Sequence, residues 1–328
     1  MRGTVALLAI MLTGCSSVET LKESEEQAAM MGNATAVASP KANSVEKTYD
    51  LAASDIAVAG DTVAVRHDTT VKFGTAKELT DNDGVELTVD SQCGDLSATE
   101  NTFVLPCGEK IFLIDAASPN LDTAVSGDQK YSTAVLTSTG TVIAGNKDNG
   151  TVTLFEDGKP TNLTVGSRSD QLVRTPSDSV AVVDTAQTSV QGVLWKDKEP
   201  GAALRVGLGV GKVAPGDGDV VFAADTTGDQ LAVYTLDSVI RLHQTAPVED
   251  SPWDLAWDSN NKVVWVASTG SNTVTAYSIS SGVPTAKGAL ETIANVRAVE
   301  FDATGALLLG SESELQIIDA DTLKKALQ

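Results

Sequence analysis

Histidine occurs only twice in this 328-residue sequence, at His67 and His243, and that scarcity narrows the chemistry on offer. One falls in a turn and the other in an outer strand of a distant unit, so neither a shared metal nor a paired acid–base role is expected of them. Basic residues are also few, 23 against 44 acidic ones, giving a formal net charge of -21. Such a surface repels DNA, RNA and bare anionic lipid, so no nucleic-acid partner is expected. No G-x-S-x-G, H-E-x-x-H or phosphate-cradling glycine loop is present, and the "DNDG" at 81–84 lacks the remaining ligand spacing of a calcium loop. No catalytic residue, metal or cofactor is therefore assigned. What the chain does have is 42% hydrophobic residues against 20% charged, enough to bury a large core.

Long apolar runs are missing too. The stretch Val5 to Leu12 is too short to span a bilayer, but it follows Arg2 and gives residues 1–14 the layout of an export signal. The residues Leu12-Thr13-Gly14-Cys15 resemble the bacterial lipobox, which implies cleavage before Cys15, diacylglycerol on its thiol, and a protein held at the cell membrane outside the cytoplasm. Residues 15–44 are rich in Ser, Ala, Glu and Asn and are expected to be a flexible tether. The other two cysteines, Cys93 and Cys107, flank a hairpin turn centred on Glu100, opposite each other on paired strands. In an exported protein that placement predicts a disulfide worth about 3 kcal/mol, with two free buried thiols as the competing reading.

From residue 45 onward the sequence repeats. Phe73, Ile114, Phe155, Trp195, Tyr234, Tyr277 and Ile318 are corresponding apolar residues spaced 39 to 43 apart, which makes seven units. "VVFAADTTGDQLAVY" (220–234) lies over "VVWVASTGSNTVTAY" (263–277) without a gap. Each unit opens with a short strand and a polar turn and closes with a more polar outer strand, so four strands per unit are expected. The middle strands are apolar on both faces, as Val264-Trp265-Val266-Ala267 shows, and sheets of that kind must be covered on both sides. Stacking them around an axis does so. The last unit has only three strands, and "VEKTYDLA" (45–52) precedes the first as an extra extended piece. Letting it pair with the last unit removes a sheet edge, so residues 45–328 are predicted to form a monomeric, all-β, seven-bladed propeller closed by its N-terminal strand.

The stretch "SPWDLAWDSNNKVVWVASTGSNTVTAYSISSG" (251–282) resembles a YVTN-type repeat, with fair matches at 212–238 and 131–159. With the lipobox, the chain is similar to the YncE-like propeller lipoproteins of actinobacteria. That resemblance implies a fold and a location rather than an activity.

Asp55, Asp95 and Asp254, with Asp170 less certain by one residue, stand just before the innermost strands of four blades, where a propeller funnels into its channel. Carboxylates gathered there would hold a cation or the ammonium group of a partner; the competing reading is that they are loop-end or capping residues. The same face is expected to carry the turns between second and third strands, including Arg66, His67, Asn146, Lys147, Asp148, Asp225 and Asn272, with Trp253 as an exposed aromatic anchor or an inter-blade packing residue. Two functions follow. The first is an interaction platform for another envelope protein or a cell-wall component. The alternative is a propeller enzyme, a metal-dependent lactonase or a lyase, using the acidic funnel. A quinone cofactor is not expected, since the repeats that dock one on tryptophan are missing.

Overall fold

Period-two alternation decides how the middle strands bury both faces. In Val263–Ser268 every residue is buried; Val264 and Val266 point to one side, while Val263, Trp265 and Ala267 point to the other. Each side meets a different neighbouring sheet, because no single core satisfies both.

The computed structural model describes residues 31–328; the expected export signal, Cys15 and the first part of the expected tether lie outside the described residues. The described chain forms seven antiparallel sheets arranged as the blades of a propeller. Blade 1 runs Asp55–Ala59, Thr62–His67, Thr70–Gly74 and Val85–Thr88 from the axis outward. Blade 2 starts at Ser97–Ala98, and its middle pair is one unbroken extended segment, Thr102–Asp115, before the outer strand Ala124–Tyr131. The segment reverses at Gly108, whose positive φ of 62° suits glycine, and beyond the reversal Ala116 N–H donates to the Asn101 carbonyl at 3.0 Å. Blades 3 to 6 begin at Thr133, Gln171, Val210 and Pro252, each with four strands. Blade 7 contributes Ala298–Phe301, Leu307–Gly310 and Leu315–Ile318, and its fourth strand is Thr48–Tyr49, with Thr48 opposite Gln316 and Tyr49 opposite Leu315.

Seven apolar clusters lie in the seven gaps between adjacent blades. The last of them joins Leu308 and Leu315 of blade 7 to Ile56, Val63 and Val65 of blade 1, so the ring closes through side chains as well as through strand pairing. The blade 6–7 gap holds fully buried Trp265, Leu307 and Leu309.

Cys93 and Cys107 form an isolated antiparallel bridge and lie at disulfide distance. After blade 7 the chain ends in a short helix, Ala320–Ala326, capped by the Asp319 side chain, which accepts from Thr322 N–H at 2.8 Å. The helix packs on the outer strand of blade 6, where a Cβ at Gly288 would collide with the Ala326 carbonyl. Residues 31–44, expected to be a free tether, lie instead against the propeller. No helix among the described residues is long and apolar enough to cross a membrane.

Candidate functional site

The innermost strand of each blade begins at one end of the central channel, and one position recurs there around the ring: Asp55, Asp95, Thr133, Gln171, Lys212, Asp254 and Ala298, spaced 38 to 44 residues apart. All seven line a cavity of about 340 Å³ on the axis. Three of the four acidic residues expected at the funnel are thus brought together, and Lys212 stands among them.

Four of these side chains tie each blade to the next. Asp55 accepts from Leu96 N–H at 2.7 Å, Thr133 from Leu172 N–H at 2.9 Å, Gln171 from Val213 N–H at 3.3 Å and Asp254 from Val299 N–H at 2.9 Å. In every case the donor is the residue following the ring position of the next blade. The inner strands of neighbouring blades belong to separate sheets and share no backbone ladder, so these side chains supply the acceptors that the exposed N–H groups need.

Asp95 breaks the rule. Its carboxylate reaches Lys212 Nζ at 2.6 Å, from blade 2 to blade 5. Those blades stand on opposite sides of the axis, so the ion pair is a bar across the channel. Asp95 is about half exposed (49%) and Lys212 28%, so the bar is wetted from the mouth. Burial by itself would raise Asp95, but the Lys212 ammonium outweighs it and holds the carboxyl below its ordinary value. Burial opposes the charge on Lys212 as well; the Asp95, Asp55 and Asp254 carboxylates prevail and hold it above its ordinary value. Lys212 stands as a cation among these carboxylates.

The other carboxyls are pushed the opposite way. Burial, with the Asp95 charge, lifts Asp55 to about 6 despite Lys212 and the Leu96 N–H. Burial lifts Asp254 to about 7 against the pull of Lys212. Two residues deeper along the inner strand of blade 7, Glu300 is lifted to about 7, by burial first and then by Asp254. The channel therefore holds two carboxyls that exchange protons near neutrality. Among the described residues, no group of three or more His, Cys, Asp or Glu is placed to hold a metal ion.

Several expected site residues lie elsewhere. Asp170 does not enter the channel; Gln171 takes that place, and the Asp170 carboxylate accepts from Thr185 N–H at 2.8 Å and Thr185 Oγ1 at 2.7 Å. Asn146, Asp225 and Asn272 do sit at the second-to-third turns, but all three are buried rather than presented on a face. Asn146 accepts from Asp148 N–H at 2.6 Å, and Asp225 from Leu208, Gly209 and Gly228 N–H groups at 2.8 to 3.1 Å. These are turn-bracing bonds. Trp253 is not an open anchor: it is half-buried, with the Arg297 guanidinium 5.2 Å over its ring and Gly211 of the preceding blade against its edge.

Arg66 and His67 stay near the mouth. Arg66 donates to the carbonyls of Cys93, at 2.8 Å, and Gly94, so it buttresses the loop carrying Asp95. His67 Nδ1 lies 3.2 Å from Glu312. A side opening lined by Ser54, Asp55, Arg66, Asp68, Asp95 and Glu312 leads into the channel over blades 1 and 2.

Neither Lys212 nor Glu300 fits the pattern of a carboxylate before a strand: one is basic, and the other lies inside Ala298–Phe301. Reading one repeat position around all seven units, whatever residue filled it, was the signal that finds Lys212.

A model of the family described as "Lactonase, 7-bladed beta-propeller" matches residues 180–301, from the second strand of blade 4 to the first of blade 7. No curated protein matches the chain. Among solved structures, the chain is similar to one in the crystal structure of the mitotic checkpoint complex, at TM-score 0.70 and 13% identity, over 96% of this chain and 99% of that one. It is also similar to the WD40 beta propeller domain of Doa1, at TM-score 0.61 and 14% identity, over 85% of this chain and 95% of that one. Likeness at such identities is a likeness of fold, and it agrees with the seven blades described above.

Proposed function

We propose that the chain is an extracytoplasmic, lipid-anchored YVTN-type propeller that works as a binding module, receiving a positively charged group of an envelope partner at the mouth of its channel. One observation carries this reading: the polar groups of the ring are engaged in bridging blades and in the Asp95–Lys212 bar, with no nucleophile set beside a base. At the ring position three carboxyls face one ammonium, and Asp55 and Asp254, which Lys212 does not bind, offer the acceptors for a second ammonium or guanidinium. The lipobox at Cys15 supports the anchor, and the cysteine pair at disulfide distance fits an oxidising compartment.

The test is affinity capture from detergent-solubilised envelopes with the native protein and a triple Asp55→Ala, Asp95→Ala, Asp254→Ala variant. A partner retained by the native protein and lost by a folded variant is the expected result. Equal capture by both removes the channel mouth from the function.

The match to the lactonase family model and the two carboxyls near neutrality favour a second reading, hydrolysis or elimination on a small polar substrate in the channel. Turnover of a lactone panel that falls at least tenfold in Glu300→Gln, with folding intact, would replace the binding reading with this one.

A further inference from the structure

Six of the seven ring residues belong to the inner strand of their own blade. Asp95 does not. The inner strand of blade 2 is only Ser97–Ala98, and Asp95 precedes it in a loop, 89–96, whose one ladder contact is the isolated bridge between Cys93 and Cys107. The Cys93–Cys107 bond joins this loop to the second strand of blade 2 just before the Gly108 reversal, at the mouth end of the channel. Gly94 N–H donates to the Pro106 carbonyl at 2.8 Å. From blade 1, Arg66 donates to the Cys93 carbonyl at 2.8 Å and to that of Gly94. On the other side Gly94 lies so close to blade 3 that a Cβ there would collide with the Ser132 carbonyl.

The bar between Asp95 and Lys212 cannot itself order this loop. Both partners are partly exposed, and an ion pair so wet contributes less than the backbone entropy of the residues that carry it. The order is imposed from the other side of Asp95, where the one covalent tie is the Cys93–Cys107 bond, two residues away. We propose that this bond is a positioning device for Asp95 and decides which carboxylate Lys212 serves: with the bond made, Lys212 spans the channel to Asp95; with it open, the loop loosens and Lys212 turns to Asp55 and Asp254. After Asp95, those two carboxylates already act most strongly on Lys212. A Lys212 turned toward them takes up the acceptors that a second cation needs. That consequence rests on the binding reading above; the positioning of Asp95 does not. Opening needs a dithiol reductant: one of its thiols attacks a sulfur of the pair, its second thiol displaces the first, and two protein thiols and one cyclic disulfide result, with two electrons and two protons passing to the pair. Cys93 lines the side opening over blades 1 and 2, which gives a small reductant its approach.

Carbon-detected NMR on the full chain in detergent micelles follows the carboxyls of Asp95, Asp55 and Asp254 through a pH titration, with assignments from Asp95→Asn, Asp55→Asn and Asp254→Asn. The forms compared are the native protein, the native protein with dithiothreitol, and Cys93→Ala with Cys107→Val, which fills the space without a cross-link. The Asp95 midpoint is expected to rise in both opened forms as its carboxylate loses the ammonium, while those of Asp55 and Asp254 fall. In Lys212→Met there is no ammonium to reassign, so opening the bond should leave Asp55 and Asp254 where they were, which a general loosening of the fold would not do. An Asp95 midpoint unmoved by opening overturns the proposal. So does unfolding of both opened forms, since a folded ring with free thiols is required. Butylammonium at pH 8 probes the consequence, and calorimetry should show binding at least about fivefold weaker in the opened forms. A shifted Asp95 midpoint with butylammonium bound equally, or by no form, upholds the positioning role and removes the cation reading instead.

Discussion

Lys212 is one positive charge facing three carboxylates, and its removal separates electrostatics from packing. In Lys212→Met the Asp95 carboxylate loses its partner and meets Asp55 and Asp254 without relief, so its pKa rises. The variant is expected to lose about 1–3 kcal/mol at pH 8, with the loss shrinking toward pH 5 as the carboxyls protonate. Urea unfolding at the two pH values checks it, and a loss independent of pH contradicts the charge account. Asp254 and Glu300 titrate the other way. Their folded values near 7 stand above their unfolded ones, so the folded state holds more protons between about pH 4 and pH 7. Their contribution to stability is complete below that window and lost as pH rises through 7. The thermal midpoint should therefore fall from pH 5 to pH 8, and Asp254→Asn with Glu300→Gln should flatten that fall. Each should gain ~1–2 kcal/mol at pH 8, well short of the full shift because the channel is wet. At this scale the sequence was only partly legible. Asp55, Asp95 and Asp254 could be placed from repeat position, yet the same offset did not tell which carboxylate would brace a neighbouring blade and which would reach across the axis. That depends on what lies opposite, forty or more residues away.

At the level of single elements the apolar pattern was the dependable guide. A strand apolar on both faces needs two neighbours, and Val263–Ser268 finds one on either side. Trp265 fills the blade 6–7 gap, and Trp265→Ala is expected to cost about 3–5 kcal/mol in chemical denaturation. The turns were harder to read. Asn146, Asp225 and Asn272 are polar residues at turns, which from sequence looks like an accessible surface; in the fold Asn146 and Asp225 satisfy backbone donors, Asn272 donates to the Pro40 carbonyl, and all three are buried. The cysteine pair was legible because two strands and one short turn fix its geometry locally. Replacing Cys93 and Cys107 together by Ala should lower stability by about 3 kcal/mol under oxidising conditions and change nothing in the presence of reductant, as followed by thermal unfolding.

For the molecule as a whole, seven repeats counted along the chain are enough to call for seven blades, because each sheet leaves two apolar faces that only a closed ring covers completely. The part that could not be foreseen is the course of residues 31–44, whose composition is that of a linker and whose placement depends on single hydrogen bonds to loops of four blades. Deleting residues 31–44 while keeping the closing strand should leave the propeller folded, with a thermal midpoint lower by a few degrees. A larger deletion through Tyr49 should leave Leu315–Ile318 with a bare edge and make unfolding less cooperative.

The pairing of Thr48 with Gln316 also orders events in time. Thr48–Tyr49, the first strand among the described residues, is the last to find its mate during synthesis, since some 265 residues must follow before Leu315 arrives. Until then the growing chain is an open arc, and it latches shut only once its tail has been made.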